Sequence, residues 1–280
     1  MNLRAFLTSR SWIAIIARML LLFVFLGTLA AIVFENRLIF MPSREGAYDL
    51  NYGFPVQYVT FQADDGVRLH GAFCPVEHAR GVILWCHGNG GNLSDGFDAA
   101  KDFRKLGLSV FLFDYRGYGK SEGSPDGKGV MLDAEAAYRY VTQQLGNPPS
   151  RLVLLGESLG GAPAIRLASR HESAALITQS TFTSIRDMAG VRFPYFPWLR
   201  FFVRTDFPNL ETISSVRVPK LLIHSRTDEV VPFWMGEKLY AQATQPKELW
   251  VVERARHNDT FGIDGYWARI RTFLDHVLPA

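Results

Sequence analysis

The feature that most restricts what this chain can become is a series of short, almost wholly apolar runs. They read GVILWCH (81–87), SVFLFD (109–114), RLVLLG (151–156), AALITQ (174–179), KLLIHS (220–225) and ELWVVE (248–253). A strand covered on both faces has no reason to alternate polar with apolar residues, so a brief unbroken apolar run is its signature. Between the runs the spacing turns helical, as in Val130–Leu145 and Tyr266–Val277. Apolar strands separated by amphipathic helices predict an α/β fold with a mostly parallel sheet and helices on both faces. Two earlier runs, 56–62 and 67–74, meet at Asp64-Asp65-Gly66, a hairpin-turn signal, so an antiparallel edge completes an eight-stranded sheet. One segment breaks the rhythm. Residues 181–215 are dense in aromatics and prolines, and an insertion at that point is expected either to cap the carboxyl ends of the strands, where ligands bind, or to be an aromatic-packed connection.

The amino terminus obeys another rule. Ser11–Phe34, SWIAIIARMLLLFVFLGTLAAIVF, is long enough to cross a bilayer as a helix. Arg18 lies near its amino end, where a long side chain can reach the interface. A cleaved signal peptide with Thr28-Leu29-Ala30 at the cleavage site is the competing reading. The apolar run continues past that site through Ile32, Val33 and Phe34, which favours a retained anchor. Arg4, Arg10 and Arg18 outweigh the mixed Glu35, Arg37, Arg44 and Glu45, so the positive-inside bias puts the amino terminus in the cytoplasm. The expected organisation is a cytoplasmic tip and anchor over 1–36 (helix about 12–34), a linker over 37–53, and a catalytic domain over 54–280 with its cap-like insertion at 181–215. The protein would then be a single-pass membrane protein with its domain on the far side, periplasmic if the membrane is a bacterial inner one.

A net charge of +3 without any Lys/Arg run makes nucleic acid a poor partner. The two cysteines, Cys74 and Cys86, form no CxxC pair, so neither a zinc site nor a redox motif is indicated. They read as buried small hydrophobes, with a disulfide between neighbouring strands as the alternative in an oxidising compartment.

The chemistry is concentrated where the 151–156 strand stops. It runs into Gly156-Glu157-Ser158-Leu159-Gly160-Gly161 and then directly into an alanine-rich helical pattern. A strand that becomes a helix without a loop forces strained angles on the corner residue, and glycines beside it relieve the crowding. The corner serine is thereby held above the sheet, and the Leu159 N–H sits at a helix amino terminus that favours negative charge. A serine hydroxyl needs a base, and the base needs an acid to orient it. Downstream loops supply both in that order: Asp228 in IHSRTDEVVP, with Glu229 as the alternative acid, and His257 in ERARHNDTFG. The remaining histidines, among them His70, His171 and His224, lie in strands, at a turn or on helices and fit a base poorly. The glycine-rich loop CHGNGGNLSD places Asn89 where its backbone N–H can be the second oxyanion donor beside Leu159. A phosphate cradle is the other use of such a loop, but no Gly-Lys-Ser/Thr or GxGxxG follows.

With these motifs in order, the chain resembles the α/β-hydrolase superfamily, and more narrowly its membrane-anchored abhydrolase-domain branch, which includes lipid esterases and protein depalmitoylases. NRLIFMPS, HGNGGN, FDYRGYGKSEGSP, GESLGG, STFTSIRDMA, DEVVPF and HND carry the resemblance, which extends over nearly everything after residue 37. It implies Ser158 as nucleophile, Asp228 as acid, His257 as base and Asn89 and Leu159 as oxyanion donors, with no metal or cofactor. One departure is Ser225, where the family usually has glycine after the histidine of the seventh strand. Arg116 in the DYRGYG turn reads as structural support, with anion binding as its alternative. The expected activity is hydrolysis of carboxylic esters or thioesters, with an acyl-lipid or lipid-modified substrate. A serine peptidase of the same fold and a non-catalytic tethered binding protein are the rivals.

Overall fold

The computed structural model describes residues 3–46, 48 and 51–278. Met1 and Asn2 of the expected tip, Ala47, Asp49 and Leu50 of the expected linker, and Pro279 and Ala280 lie outside the described residues. The strands are β1 (Gln57–Gln62), β2 (Arg68–Cys74), β3 (Gly81–Cys86), β4 (Leu108–Phe113), β5 (Leu152–Glu157), β6 (Ala175–Gln179), β7 (Lys220–Ser225) and β8 (Lys247–Val252). Every apolar run became the strand it was expected to be. They form one eight-stranded sheet in the order β1-β2-β4-β3-β5-β6-β7-β8. β1 pairs antiparallel with β2 and β2 with β4, and all other pairs are parallel.

The helices are α1 (Leu3–Val33), α2 (Glu35–Ile39), α3 (Phe97–Lys105), α4 (Gly127–Arg139), α5 (Gly161–Arg170), α6 (Ile185–Arg192), α7 (Asn209–Thr212), α8 (Phe233–Gln242) and α9 (Tyr266–Val277). The strand period of two sorts each apolar run onto two layers. In β3, Val82, Leu84 and Cys86 join the core that contains Val130 and Ala134 of α4, Ile165 of α5 and Leu239 of α8. Ile83 and Trp85 face the other core, with Phe103 of α3 and Ile270 and Phe273 of α9.

The chain leaves β3 through α3 toward β4 on one side, then returns through α4 to β5 on the other. Because such crossovers are right-handed, opposite directions put α3 and α4 on opposite faces, as observed. The loops after β3 and β5 therefore part around a crevice at the carboxyl ends of the strands, the usual place for a ligand in such a sheet.

Cys74 and Cys86 are free and buried, with β4 between their strands. Burial pushes both thiols up to about 12, which keeps them protonated and inert. Arg116 is a structural residue: its guanidinium grips Asp133 and Asp65 at 2.8 and 2.7 Å.

Within α1, Trp12–Val33 is long and apolar enough, at a mean hydropathy of 2.4, to cross a membrane. Its half-buried positions are Val24, Thr28, Ala31 and Ile32, continued by buried Glu35 of α2. Their spacing of three and four residues puts them on one stripe of the helix. That stripe meets the 181–215 insertion, where the Trp198 Nε1–H donates to Thr28 Oγ1 at 3.1 Å.

Candidate active site

The corner predicted at Ser158 is present. β5 ends at Glu157, one turn of 3₁₀ helix spans Ser158–Gly160, and α5 begins at Gly161. Ser158 has a φ of 50°, in the left-handed region that disfavours residues with a Cβ. The neighbouring glycines are required by contact. A Cβ on Gly160 would stand 2.0 Å from the Cys86 carbonyl oxygen, and one on Gly156 would stand 2.6 Å from the Gly160 oxygen. Their absence lets the elbow press against the end of β3.

Ser158, Asp228 and His257 converge, although 99 positions separate the first from the last. His257 Nε2 lies 2.9 Å from Ser158 Oγ. On the other edge of the ring, Nδ1 faces Asp228 Oδ1 at 2.9 Å and Oδ2 at 2.8 Å. With the Nδ1 proton donated to the carboxylate, Nε2 carries the free lone pair and can accept the serine proton. Asp228 is held in turn: its Oδ1 accepts the Val230 and Val231 N–H groups at 2.9 and 2.8 Å. Burial raises the Asp228 carboxyl, but the His257 hydrogen bond and charge, with those two amides, outweigh it and set its pKa below the ordinary value. The carboxylate is therefore ionised at neutral pH and able to stabilise an imidazolium.

Glu229 points elsewhere. Its Oε2 accepts the His257 backbone N–H at 3.1 Å and its Oε1 faces Arg256 Nε at 3.3 Å. It braces the loop that carries His257 and does not reach the imidazole ring. His224 is buried in β7, with Nε2 2.9 Å from the Val231 carbonyl. His70 and His171 face Asp114 and Glu135.

Asn89 and Leu159 line the same cavity as Ser158 and His257. The glycine-rich loop lies close: a Cβ on Gly88 would stand 3.6 Å from Ser158 Cβ. Among the described residues, neither the Asn89 nor the Leu159 backbone N–H donates to a protein acceptor. Two uncommitted donors beside a serine hydroxyl can bind a developing oxyanion.

Three features had no local sign in the sequence. First, the Asn89 side chain is clamped: its Nδ2 donates to the Ile39 carbonyl at 2.5 Å, and its Oδ1 accepts from Met41 N–H at 2.9 Å and Tyr118 O–H at 2.7 Å. The segment just after the apolar helix thus holds the glycine-rich loop. Second, Ser225 fastens the Asp228 loop to the His257 loop. Its Oγ donates to the Ala255 carbonyl at 2.7 Å and accepts the Ala255 N–H at 3.1 Å, two residues before His257. Third, Glu157, hidden inside the motif, has its carboxyl pushed up to about 7, chiefly by burial, while the His257 charge opposes the rise.

The cavity in front of Ser158 measures about 620 Å³, within the range of small-molecule sites. Its walls come from two distant stretches: Ile32 and Leu38 near the end of the apolar helix, and Met188, Leu199, Phe202 and Val203 of the insertion. Both are predominantly apolar. Among the described residues, no cluster of His, Cys, Asp and Glu has the makings of a metal site.

Comparison with known proteins gives a consistent family. A family model described as the alpha/beta hydrolase fold matches residues 81–260. The uncharacterized protein Rv2307c of Mycobacterium tuberculosis is 38% identical over 248 residues, covering 87% of this chain and 85% of that protein. The alpha/beta hydrolase domain-containing protein WAV2 of Arabidopsis thaliana is 32% identical over 284 residues, covering 90% of this chain and 91% of that one. Among solved structures, the esterase Pf2001 of Pyrococcus furiosus superposes with a TM-score of 0.72 at 23% identity, over 84% of this chain and 98% of that one.

Proposed function

The chain belongs to the alpha/beta hydrolase fold family, and on that premise we propose that it cleaves carboxylic esters or thioesters through an acyl-enzyme on Ser158. The observation that carries this reading is the unbroken line from Asp228 through His257 to Ser158, with every link between 2.8 and 2.9 Å. Ser158 Oγ attacks the acyl carbon while His257 Nε2 takes its proton. The new C–O bond pushes the carbonyl electron pair onto oxygen, where the Asn89 and Leu159 amides bind it. Collapse of that intermediate expels the alkoxide or thiolate, which takes the proton from His257. Water then repeats the sequence and frees the acid. Asp228 keeps the imidazole in the correct tautomer and offsets its charge in both halves.

The apolar lining of the cavity supports an acyl group as the part of the substrate that is recognised, and the apolar helix supports a substrate in or near a membrane. The domain arrangement that goes with this is an anchor over 1–36, a linker over 37–53 and a catalytic domain over 54–280, with the amino terminus cytoplasmic. A fluorophosphonate probe tests the core of the reading. Wild-type protein should be labelled stoichiometrically and hydrolyse nitrophenyl esters, and Ser158→Ala should do neither. Equal labelling of that variant, or cleavage of amides in preference to esters, would overturn it.

A further inference from the structure

The apolar helix and the 181–215 insertion are built as one unit. Glu35 is 7% exposed, and its carboxylate accepts the backbone N–H groups of Arg204 and Thr205 at 2.8 Å each and the Arg204 Nε–H at 2.8 Å. Arg204 also donates to the Ile32 carbonyl at 2.6 Å. Further along the helix, Trp198 donates to Thr28. The insertion is therefore pinned at two heights on the helix stripe defined above.

Those heights locate it relative to a bilayer. Thr28 lies five residues before Val33, the last residue of the candidate span, which is roughly 7.5 Å along a helix axis at 1.5 Å per residue. If Trp12–Val33 spans a membrane, the Trp198 side of the insertion must sit below the end of the hydrophobic segment, at about the 5–10 Å depth of an interfacial element. Its outward face suits that depth. Tyr195 is 86% exposed and Phe201 75% exposed, beside exposed Phe196. Arg200 stands among them and is exposed, with its guanidinium 5.6 Å from the Phe201 ring. Bare aromatic rings with arginines are costly in water and well matched to the headgroup boundary. The inner face of the same insertion supplies Leu199 and Val203 to the cavity at Ser158.

We propose that the insertion docks on the bilayer surface through Tyr195, Phe196 and Phe201, so that the cavity between it and the end of α1 opens to the lipid leaflet and receives an acyl chain from there. The acyl half of this statement rests on the esterase reading above, whereas the docking half rests on the helix contacts, the exposed rings and a membrane-spanning Trp12–Val33.

Two measurements separate the halves. Because Cys74 and Cys86 are buried, a polarity-sensitive thiol dye placed on Phe201→Cys in the full chain reports on one site. In phosphatidylcholine vesicles its emission should shift to the blue and be quenched by shallow brominated lipid, whereas the same dye on Lys101→Cys of α3 should show neither. Equal behaviour at the two sites overturns the docking half. So does emission at residue 201 that depends on protein concentration without lipid quenching, which would mark a second copy of the chain as the occupant. For the acyl half, a Tyr195→Ser/Phe201→Ser chain should cleave a long-chain acylglycerol held in vesicles at least about tenfold more slowly, since withdrawing one such ring from water is itself worth about that factor. Its rate on soluble nitrophenyl butyrate should not change. Equal effects on both substrates, or on neither, overturn the acyl half. A wild-type chain inert to both esters and unlabelled by the fluorophosphonate probe removes the esterase reading and the acyl half with it, while the dye still decides the docking half.

Discussion

Replacing Asp228 by asparagine tests the proposed mechanism at the point where one atom decides the outcome. Asparagine keeps an oxygen for the Val230 and Val231 amides, which Oδ1 accepts at 2.9 and 2.8 Å, so the turn that carries it survives. The amide nitrogen must then take the place of Oδ2, 2.8 Å from His257 Nδ1, while the retained oxygen, 2.9 Å from the same atom, is already engaged by the two backbone amides. An N–H aimed at an N–H is repulsive, so the ring gives up its Nδ1 proton and carries it on Nε2, the atom 2.9 Å from Ser158 Oγ. The base becomes a donor to the group it should deprotonate. A tautomer error of this kind costs about 10⁴ in kcat, or about 5.4 kcal/mol at 1.36 kcal/mol per decade. Glu229→Gln is the control. It retains an acceptor for the His257 backbone N–H and should lose less than about tenfold, on the order of a bracing hydrogen bond. Nitrophenyl ester hydrolysis gives the rates, and thermal unfolding checks that both variants fold. The depressed pKa of Asp228 adds a sign. Its ionic contribution to stability is complete above the ordinary carboxylate value of about 3.9 and is lost as pH falls through the lower folded value. The part of the stability gap between wild type and Asp228→Asn that this charge supplies should thus close as pH falls below about 3.9. An asparagine variant with a tenth or more of the wild-type rate, or a glutamine variant equally impaired, would refute the assignment of the acid.

Three further outcomes follow from the same region. Ser158 sits at a φ of 50°, a conformation that costs a residue with a Cβ about 1 kcal/mol or more; Ser158→Gly should be inactive yet about 1 kcal/mol more stable to urea than Ser158→Ala, and the reverse order would show the corner to be unstrained. Gly160→Ala drives a methyl to 2.0 Å from the Cys86 carbonyl, backbone that cannot turn aside, so unfolding free energy should fall by about 3 kcal/mol along with ester hydrolysis; an active, equally stable variant would mean that the elbow does not abut β3. The Glu157 carboxyl is raised to about 7, so the native state binds more protons than the unfolded one between about pH 4.3 and that value. Wild-type stability should fall across that window and level off above it, whereas Glu157→Gln should lack this slope; parallel pH profiles in chemical denaturation would remove the inference.

How far the sequence reached is clearest in particular residues. Its strand-like runs located all eight strands to within a residue or two: burial on both faces marks β3 to β7, whereas the mostly exposed β1 was found through its hairpin turn with β2. The elbow was legible for a similar reason: Gly156, Ser158 and Gly160 answer to crowding within a few residues of backbone. Ser158, Asp228 and His257 come together in space, since each follows a strand and the strands all end at one rim. Sequence alone left Asp228 and Glu229 open, as adjacent residues on a turn point to different sides and only the turn's placement decides which carboxylate faces the imidazole. Nor did any spacing announce that Asn89 would be clamped by Ile39 and Met41, that Ser225 would tie Ala255 down, or that Thr28 would meet Trp198 across 170 positions. Such contacts have no period. Local pattern encodes which face of an element is apolar, whereas the partner that covers it is chosen by the topology of the whole chain, and in this protein that choice made the end of an apolar helix into a wall of the site.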